Sequence, residues 1–278
     1  EAEDLVQEAL LRLHGAGDDI ESPKAYATAV VTRLAIDHLR SARVRRESYV
    51  GPWLPEPIVD ERAPDPAERA ELAESLTMGV LVLLESLTPV ERAVFLLREA
   101  FDYGYDEIAQ IVGKTPENCR QLAVRARRHV EARKPRFEPS RERREELGRR
   151  FVEAFAQGDV DGIVEMLAED VVLYGDGGGK APAIRSPMHG RERVARAVAA
   201  FARQAKVTDV HAEIVSVNGE PGALFRTSDG RLVSAMSLDV VDGRVQTLRS
   251  IVNPDKLAHL GPVSDVVALL RGRFKPAR

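Results

Sequence analysis

The chain is short of the residues that staple small secreted domains. It has one cysteine in 278 residues, which excludes an internal disulfide framework. Long apolar runs are missing as well: Val80-Leu-Val-Leu-Leu84 is the type of run present, and it is far too short to span a bilayer. No signal peptide is evident. There is no excess of positive charge, the formal net charge being -4, so a protein that is basic all over is excluded, whereas a local basic patch is not. Tryptophan is reduced to one residue, Trp53. What remains is an ordinary globular composition, 44% hydrophobic and 30% charged, long enough for two or three domains. These absences point to the cytoplasm, with no membrane partner. The first residue is Glu1 rather than Met and stands in mid-helix, so a preceding segment is expected.

Residues 105–130 read as a helix, a tight turn and a second helix. The first, from Tyr105, is amphipathic, with Ile108, Ala109 and Val112 expected inward. Gly113 stops it, because glycine enters the left-handed region without strain. Thr115 stands at the next N-cap with Pro116 at the first helical position. Cys119, Leu122, Ala123, Ala126 and Val130 then recur at helical spacing and predict a buried stripe, which makes Cys119 a packed thiol rather than a redox switch. The other faces carry Glu117, Asn118, Arg120, Gln121, Val124, Arg125 and Arg128. Amide and guanidinium groups near the helix N-terminus suit base edges, and cations farther along suit phosphates. A solvated surface hairpin has the same outline. The DNA-reading alternative is favoured, and Arg127, Arg133, Lys134 and Arg136 extend the basic run, opposed there only by Glu131.

Upstream, residues 1–48 predict two helices. The first turns Leu5, Ala9 and Leu13 inward and Asp4, Gln7 and Glu8 outward as an acidic-polar strip. The second opens at Ser22-Pro23, buries Ala27, Val30, Val31, Leu34 and Ala35, and exposes Lys24, Arg33, Asp37 and Arg40. Arg43, Arg45 and Arg46 follow; a lone basic run is usually just solvated, but a second basic helix ahead of a helix-turn-helix suggests two separated footprints. In the linker, residues 49–68, Pro52, Pro55 and Pro57 forbid helix and central strand and favour polyproline geometry. Trp53 and Leu54 have no place on a mere spacer, because an indole left in water forgoes ~2 kcal/mol of burial; both are expected to dock. The block at 69–136 begins with Leu72, Leu76, Val80, Leu83, Leu84 and Leu87 at helical spacing. It continues with a capping box at Thr88-Pro-Val-Glu91 and a helix burying Val94, Phe95 and Leu97, with Arg98 and Glu99 facing out.

In this order the pieces resemble a sigma-70 family factor of the extracytoplasmic-function type. Asp4-Leu-Val-Gln-Glu8 is similar to the helix that such factors press on the β′ clamp of RNA polymerase, which implies polymerase contacts by Asp4, Gln7 and Glu8. Arg33-Leu-Ala-Ile-Asp-His-Leu-Arg40 resembles the region 2 helix that reads the −10 element, implying Arg33, Arg40 and Arg43 for that DNA. Leu87-Thr-Pro-Val-Glu-Arg92 and Tyr105-Asp-Glu-Ile-Ala109 resemble region 4, which binds the β flap and whose last helix reads −35. Thr115, Asn118, Arg120, Gln121, Arg125 and Arg128 are the residues that helix would use. The implied partners are core RNA polymerase and promoter DNA, and region 2 is expected to be truncated at its N-terminus.

The third block, 139–262, starts with two helices, the first burying Leu147, Phe151, Ala154 and Phe155 and the second running from Asp159 to Ala168. Val171-Val-Leu-Tyr174 reads as a strand broken by Gly175-Asp-Gly-Gly-Gly-Lys180. A helix over 190–204 follows, then four strands parted by Asn218-Gly219, Asp229-Gly230 and Asp242-Gly243, strong hairpin dipeptides. Helices first and then a curved antiparallel sheet predict an α+β cone, which resembles the SnoaL-like or ketosteroid-isomerase class. The whole is thus expected to be multi-domain: two all-α sigma domains followed by the cone and a tail, 263–278. The glycine loop lacks Walker spacing, and a contact loop is favoured, with glycines permitting close approach and Asp176 and Lys180 offering charge. Together with Asn253-Pro-Asp-Lys-Leu257 and the linker, it resembles the sigma factors that carry this domain at their C-terminus. That implies contacts among Trp53, Leu54, Glu56, Asp176, Lys180, Asn253, Asp255 and Lys256, and regulation in cis. His189, His211 and Asp239 are acid–base candidates by type only, and fold does not confer function. The expectation is a non-enzyme without cofactor or metal. The competing reading is a small-molecule sensor or enzyme domain targeted by the helical half, and a plain DNA-binding repressor would leave the acidic strip unexplained.

Overall fold

The computed structural model describes residues 2–16, 20, 22–47, 49–59, 78–131 and 140–271. Two compact units are present, Glu1–Ser48 with Leu83–Lys134, and Tyr49–Val82 with Pro135–Arg278. The expectations placed on Leu72, Leu76, Arg133, Lys134 and Arg136, and on the side chains of Val80 and Glu131, lie outside the described residues.

The first unit is all α. It contains α1 (Ala2–Gly15), α2 (Pro23–Glu47), α4 (Pro89–Glu99), α5 (Tyr105–Val112) and α6 (Pro116–Glu131), while α3 (Met78–Ser86) runs into it across the boundary. The Thr88 capping box forms as expected: the Glu91 amide donates to Thr88 Oγ1 and Glu91 Oε2 accepts from the Thr88 amide at 3.0 Å. Val94, Leu97, Ile108, Ala109, Ile111, Cys119, Leu122 and Ala123 make the core. Ile111 replaces Val112 as the buried residue at the end of α5, and Ile36 is the buried side chain of α2, where the expected positions are only half-buried. Both differences arise because α2 packs across α4 and α5, a contact that helical periodicity alone does not orient.

The second unit is α+β. Helices α7 (Arg141–Gln157) and α8 (Val160–Met166) lead into β1 (Leu167–Asp176), then β2 (Met188–His189) and α9 (Arg191–Val207). Four strands follow: β3 (Val210–Val217), β4 (Glu220–Thr227), β5 (Leu232–Val241) and β6 (Arg244–Ile251). Two short helices end the unit, α10 (Pro254–Leu257) and α11 (Val266–Arg271). The strand order is β2-β1-β6-β5-β4-β3. The sheet is not wholly antiparallel: β1 pairs in parallel with β6, Leu173 opposite Leu248 and Asp176 opposite Ile251. Hairpin dipeptides report only neighbouring strands, so this long-range pairing left no local signal. Asn218-Gly219 and Asp242-Gly243 all have φ between 51° and 73°, the left-handed pair that a type I′ turn requires. Irregular registers in β1, β4 and β5 bend the sheet, as bulges do.

One face of the sheet receives α7, α8 and α9 around Phe151, Leu173, Val194, Val198, Leu238 and Leu248, with Phe155 edge-on to Phe225 at 5.1 Å. The other face carries a second core of Val217, Leu224, Leu232, Ala235, Ile251 and Leu257, and the linker residue Leu54 completes it. Side chains alternate along each strand, so the two cores share the same strands back to back.

Gly148 of α7 lies against β4 so closely that a Cβ there would overlap the Pro221 side chain. In an open helix, Gly→Ala gains roughly 0.5–1 kcal/mol. Here overpacking reverses the sign, and Gly148→Ala is expected to destabilise the unit by about 1–3 kcal/mol, measured by denaturant unfolding. A stabilised variant would refute the close packing.

Candidate functional site

Gly113 has φ +66° and ends α5, and its amide donates to the Ala109 carbonyl. The Asn118 amide donates to Thr115 Oγ1 at 3.2 Å, so the N-cap fixes where α6 starts. Cys119 and Ala126 are fully buried, with Leu122, Ala123 and Val130 beside them. Burial pushes the Cys119 thiol up, which disfavours the reactive thiolate. Thr115, Asn118, Arg120, Gln121, Arg125 and Arg128 are all exposed, as is Val124. The guanidinium of Arg120 lies 5.5 Å from the Tyr105 ring centre. Arg127 is bound to Glu99 at 2.5 Å, a counter-charge supplied by α4 that no count along α6 could find.

Asp4, Gln7 and Glu8 lie exposed on α1, and Glu8 pairs with Arg12 at 2.8 Å. Val6, Leu10 and Leu11 flank them, also exposed. On α2, Arg40 is exposed and reaches Asp37 at 3.1 Å. Arg33 donates to the carbonyls of Ile111 and Gln110 at 2.9 and 2.8 Å. It therefore caps the C-terminal end of α5, where the helix dipole attracts a cation. The side chain of Arg43 lies outside the described residues.

The second unit holds a denser constellation. Asp176 is completely buried at the end of β1. Its Oδ2 accepts from the Leu54 amide at 2.8 Å and from Lys256 Nζ at 2.7 Å, and its Oδ1 accepts from the Tyr49 hydroxyl at 2.5 Å. Asn253 Nδ2 donates to the same hydroxyl at 2.8 Å. Burial, and then the bond to Asp176 and its charge, raise the Tyr49 phenol far above its ordinary value, so it stays a donor. Lys256 also donates to the Leu54 carbonyl and sits 3.8 Å from the Trp53 ring centre, a cation–π contact. Farther along, Asn218 Nδ2 donates to the Glu56 carbonyl at 3.3 Å, the Ile58 amide donates to Asn218 Oδ1 at 3.1 Å, and His259 meets the Pro57 carbonyl at 2.8 Å. This clasp holds residues 49–58 along the domain.

The expected contact residues thus divide. Trp53, Leu54, Asp176, Asn253 and Lys256 meet in the clasp, with Glu56 joining through its backbone. Lys180 and Asp255 bind each other at 2.6 Å on the surface. Tyr49, Asn218 and His259 carry no such signal in the sequence: Tyr49 stands in the linker, Asn218 in a hairpin dipeptide and His259 beyond the last strand. The glycine loop makes the clasp possible. At Gly178, φ +58°, a Cβ would lie 2.8 Å from the Tyr49 hydroxyl oxygen and overlap Asn253, and at Gly179 it would press on Val50.

A cavity of about 520 Å³ opens on the face of the sheet that α7 and α9 cover, away from the clasp. Its described lining is apolar apart from Gln204, Thr208, Ser234 and Ser250, and it includes no ionisable side chain. His189, His211 and Asp239 are elsewhere; Asp239 pairs with Arg249 at 2.9 Å. Helix α11 adds Val266, Leu269 and Leu270 to the wall. The stretch from 263 was expected to be a tail, although these three residues already stand at i, i+3 and i+4.

A capped helix-turn-helix with a cationic outer face, a preceding helical pair and an α+β domain are the parts of a transcription factor of the sigma type. Family models agree: Sigma-70 region 2 matches residues 1–45, Sigma-70, region 4 matches 78–130, and the SnoaL-like domain matches 148–253. The chain belongs to the extracytoplasmic-function sigma factors of the sigma-70 family, with a C-terminal SnoaL-like domain. It is 37% identical over 269 residues to the ECF RNA polymerase sigma factor SigJ of Mycobacterium tuberculosis (strain ATCC 25618 / H37Rv), spanning 92% of this chain and 85% of that one. It is 38% identical over 171 residues to the probable ECF RNA polymerase sigma factor SigI of M. tuberculosis (strain CDC 1551 / Oshkosh), spanning 60% and 58%. The crystal structure of M. tuberculosis SigJ superposes with a TM-score of 0.72 at 34% identity, over 92% and 89% of the chains. The protein therefore binds core RNA polymerase and promoter DNA and directs promoter-specific initiation. Among the described residues, no helix is long and apolar enough to cross a membrane.

Substituting Gly178 by alanine is expected to loosen the clasp without unfolding the domain, because the overlapping atoms are side-chain ends. Trp53 is the sole tryptophan, so its fluorescence reports this directly. The emission should move to longer wavelength in Gly178→Ala while the far-ultraviolet circular dichroism stays unchanged. An unmoved emission would show that the loop does not support the linker.

Proposed function

We propose that the two promoter readers are joined by a linker whose reach the C-terminal domain controls in cis. The observation that carries this is the buried Asp176 carboxylate, which binds Leu54 and Tyr49 of the linker. In the −35 reader, Asn118, Arg120 and Gln121 face base edges and Arg125 and Arg128 face phosphates, with Thr115 positioning the helix start. In the −10 reader, Arg33, Arg40 and Arg43 serve. Asp4, Gln7 and Glu8 meet the β′ clamp and region 4 meets the β flap, in the cytoplasm where the polymerase works. The C-terminal domain is regulatory rather than catalytic, a reading supported by a cavity lining without an acid–base pair.

Contact between α2 and α5 bears on the mechanism. The −10 and −35 elements are roughly 25 base pairs apart, which at ~3.4 Å per pair is on the order of 85 Å. Arg33 is 2.8 Å from Gln110. Both elements cannot be read in that arrangement, so α2 must leave α5, and Arg33 is released to DNA in the same step. The linker must then extend. A residue adds at most about 3.3–3.6 Å, so clasping the ten residues 49–58 fixes the path of on the order of 30 Å of chain that would otherwise be free to point toward the second element. The clasp therefore restrains initiation.

Arg125→Ala is expected to weaken DNA binding equally on all sequences and to lower the salt slope by about one unit. Arg120→Ala should relax preference at a single base pair, costing about 1–3 kcal/mol on the cognate site alone. Equal losses on every sequence for both variants would sink this division of roles.

Asp176→Asn in the full chain, assayed with core polymerase on a cognate promoter, tests the restraint. Promoter-specific transcripts should rise severalfold, since the amide removes the charge that faces Lys256 and, whichever way it turns, leaves one oxygen to accept where two accepted from Tyr49, Leu54 and Lys256. Unchanged output would remove the regulatory role, and a fall would reverse its sign.

A further inference from the structure

We propose that the cavity binds one neutral, largely apolar small molecule bearing one or two hydrogen-bonding groups, and that the linker clasp responds to its occupancy. The second half rests on the reading that the clasp regulates; the first does not.

The volume, about 520 Å³, is that of a small-molecule site, and a mostly apolar lining with a few polar groups is the usual makeup of one. Phe155, Phe201, Phe225 and Met236 supply broad apolar walls. A charged ligand would leave water without a counter-charge in the described lining, a cost of several kcal/mol that selects against it. Gln204, Thr208, Ser234 and Ser250 suit a hydroxyl, carbonyl or amide.

Coupling follows from the strands. Gly175 and Val252 line the cavity, and the residues after them, Asp176 and Asn253, hold the linker. The two strand ends are stitched together, since the amides of Val252 and Asn253 both donate to the Asp176 carbonyl, at 2.8 and 3.0 Å. Gly175 packs directly against Ile184 of the cavity wall, whose backbone nitrogen would lie 2.9 Å from a Cβ there, so a shift of that wall reaches the backbone one peptide from the buried carboxylate. The α11 wall is connected as well: Ser264 donates to the Leu232 carbonyl at 2.8 Å and Leu232 to the Pro262 carbonyl at 2.8 Å, which anchors the segment between Lys256 and α11 on β5.

The test uses the full chain with Nile red, a neutral apolar fluorophore, competed by decanol and separately by decanoate. Nile red should saturate at one equivalent, and decanol should displace it at least about tenfold more effectively than decanoate. Ala205→Phe, which narrows the cavity from α9, and Ser250→Asp, which charges it, should each weaken the dye by about tenfold or more. The two variants act through bulk and charge, so a folding defect in one leaves the other to decide. Decanol alone should shift Trp53 emission in the parent chain and not in Ala205→Phe. Absence of saturable dye binding, or equal displacement by decanol and decanoate, overturns the site. Saturable binding with Trp53 emission unmoved, or moved equally in Ala205→Phe, overturns the coupling. If decanol shifts Trp53 while Asp176→Asn transcribes like the parent, the cavity proposal stands and the regulatory reading of the clasp falls.

Discussion

A carboxylate without solvent contact organises the second unit. Taking an ion out of water costs several kcal/mol even after relaxation, and the charge is tolerable only where donors replace the lost water. Asp176 has three, from two separate pieces of chain: the Tyr49 hydroxyl and the Leu54 amide from the linker, and the Lys256 ammonium from α10. Neither piece can leave without stranding the other. Lys180 and Asp255, only a few residues away, make a pair of similar length, but both are exposed, and such pairs contribute about 0–1 kcal/mol. Burial, not charge type, decides which of the two ion pairs matters. It also explains why the linker behaves as part of the domain: burying Leu54 adds roughly 1.5–3 kcal/mol of apolar stabilisation to the same strip of contacts.

Arg33 imposes a comparable constraint on the first unit. One guanidinium cannot cap α5 and contact promoter DNA together. Its hold on the helix end is modest, since cations at an exposed helix C-terminus gain about 0.3–1 kcal/mol, and DNA offers many phosphates in return. The packed state is thus kept by the apolar contact of α2 with α4 and α5 more than by the arginine. Docked on α1 as proposed above, core polymerase would act through the packing of α1 on α2, the helix that has to leave α5.

The helix-turn-helix was legible because its signals are local. Gly113, Thr115 and Pro116 act on their own turns, and the Cys119 to Val130 stripe needs only one helix. The strip at 49–58 was legible for another reason: a proline-rich spacer has no use for Trp53, and three glycines at a strand end have no use unless something comes close. The unread parts are those where meaning lies in a distant partner. Asp176 and Lys256 are named as contact residues by the resemblance, but their burial has no local signal, because only the return of the chain after β6 encloses them. Tyr49, Asn218 and His259 each satisfy a backbone or side-chain group from another segment. The same holds for the Glu99–Arg127 pair and for the parallel β1–β6 ladder, which joins strands some 70 residues apart in sequence. The α11 stripe was present but short, and it fell past the point where the domain was expected to end.

The clasp is intramolecular, and this sets what kind of signal can act on it. A segment tethered beside its dock experiences an effective concentration in the millimolar range, so even a weak clasp remains occupied. A separate competing protein would have to overcome that advantage on the linker itself. A small molecule bound behind the sheet faces no such competition, because it changes the dock rather than displacing the linker. Holding Asp176 between a ligand-accessible face and a linker-binding face gives one peptide bond influence over both. Differential affinity of only a few kcal/mol between clasped and open states then suffices to move the population by orders of magnitude.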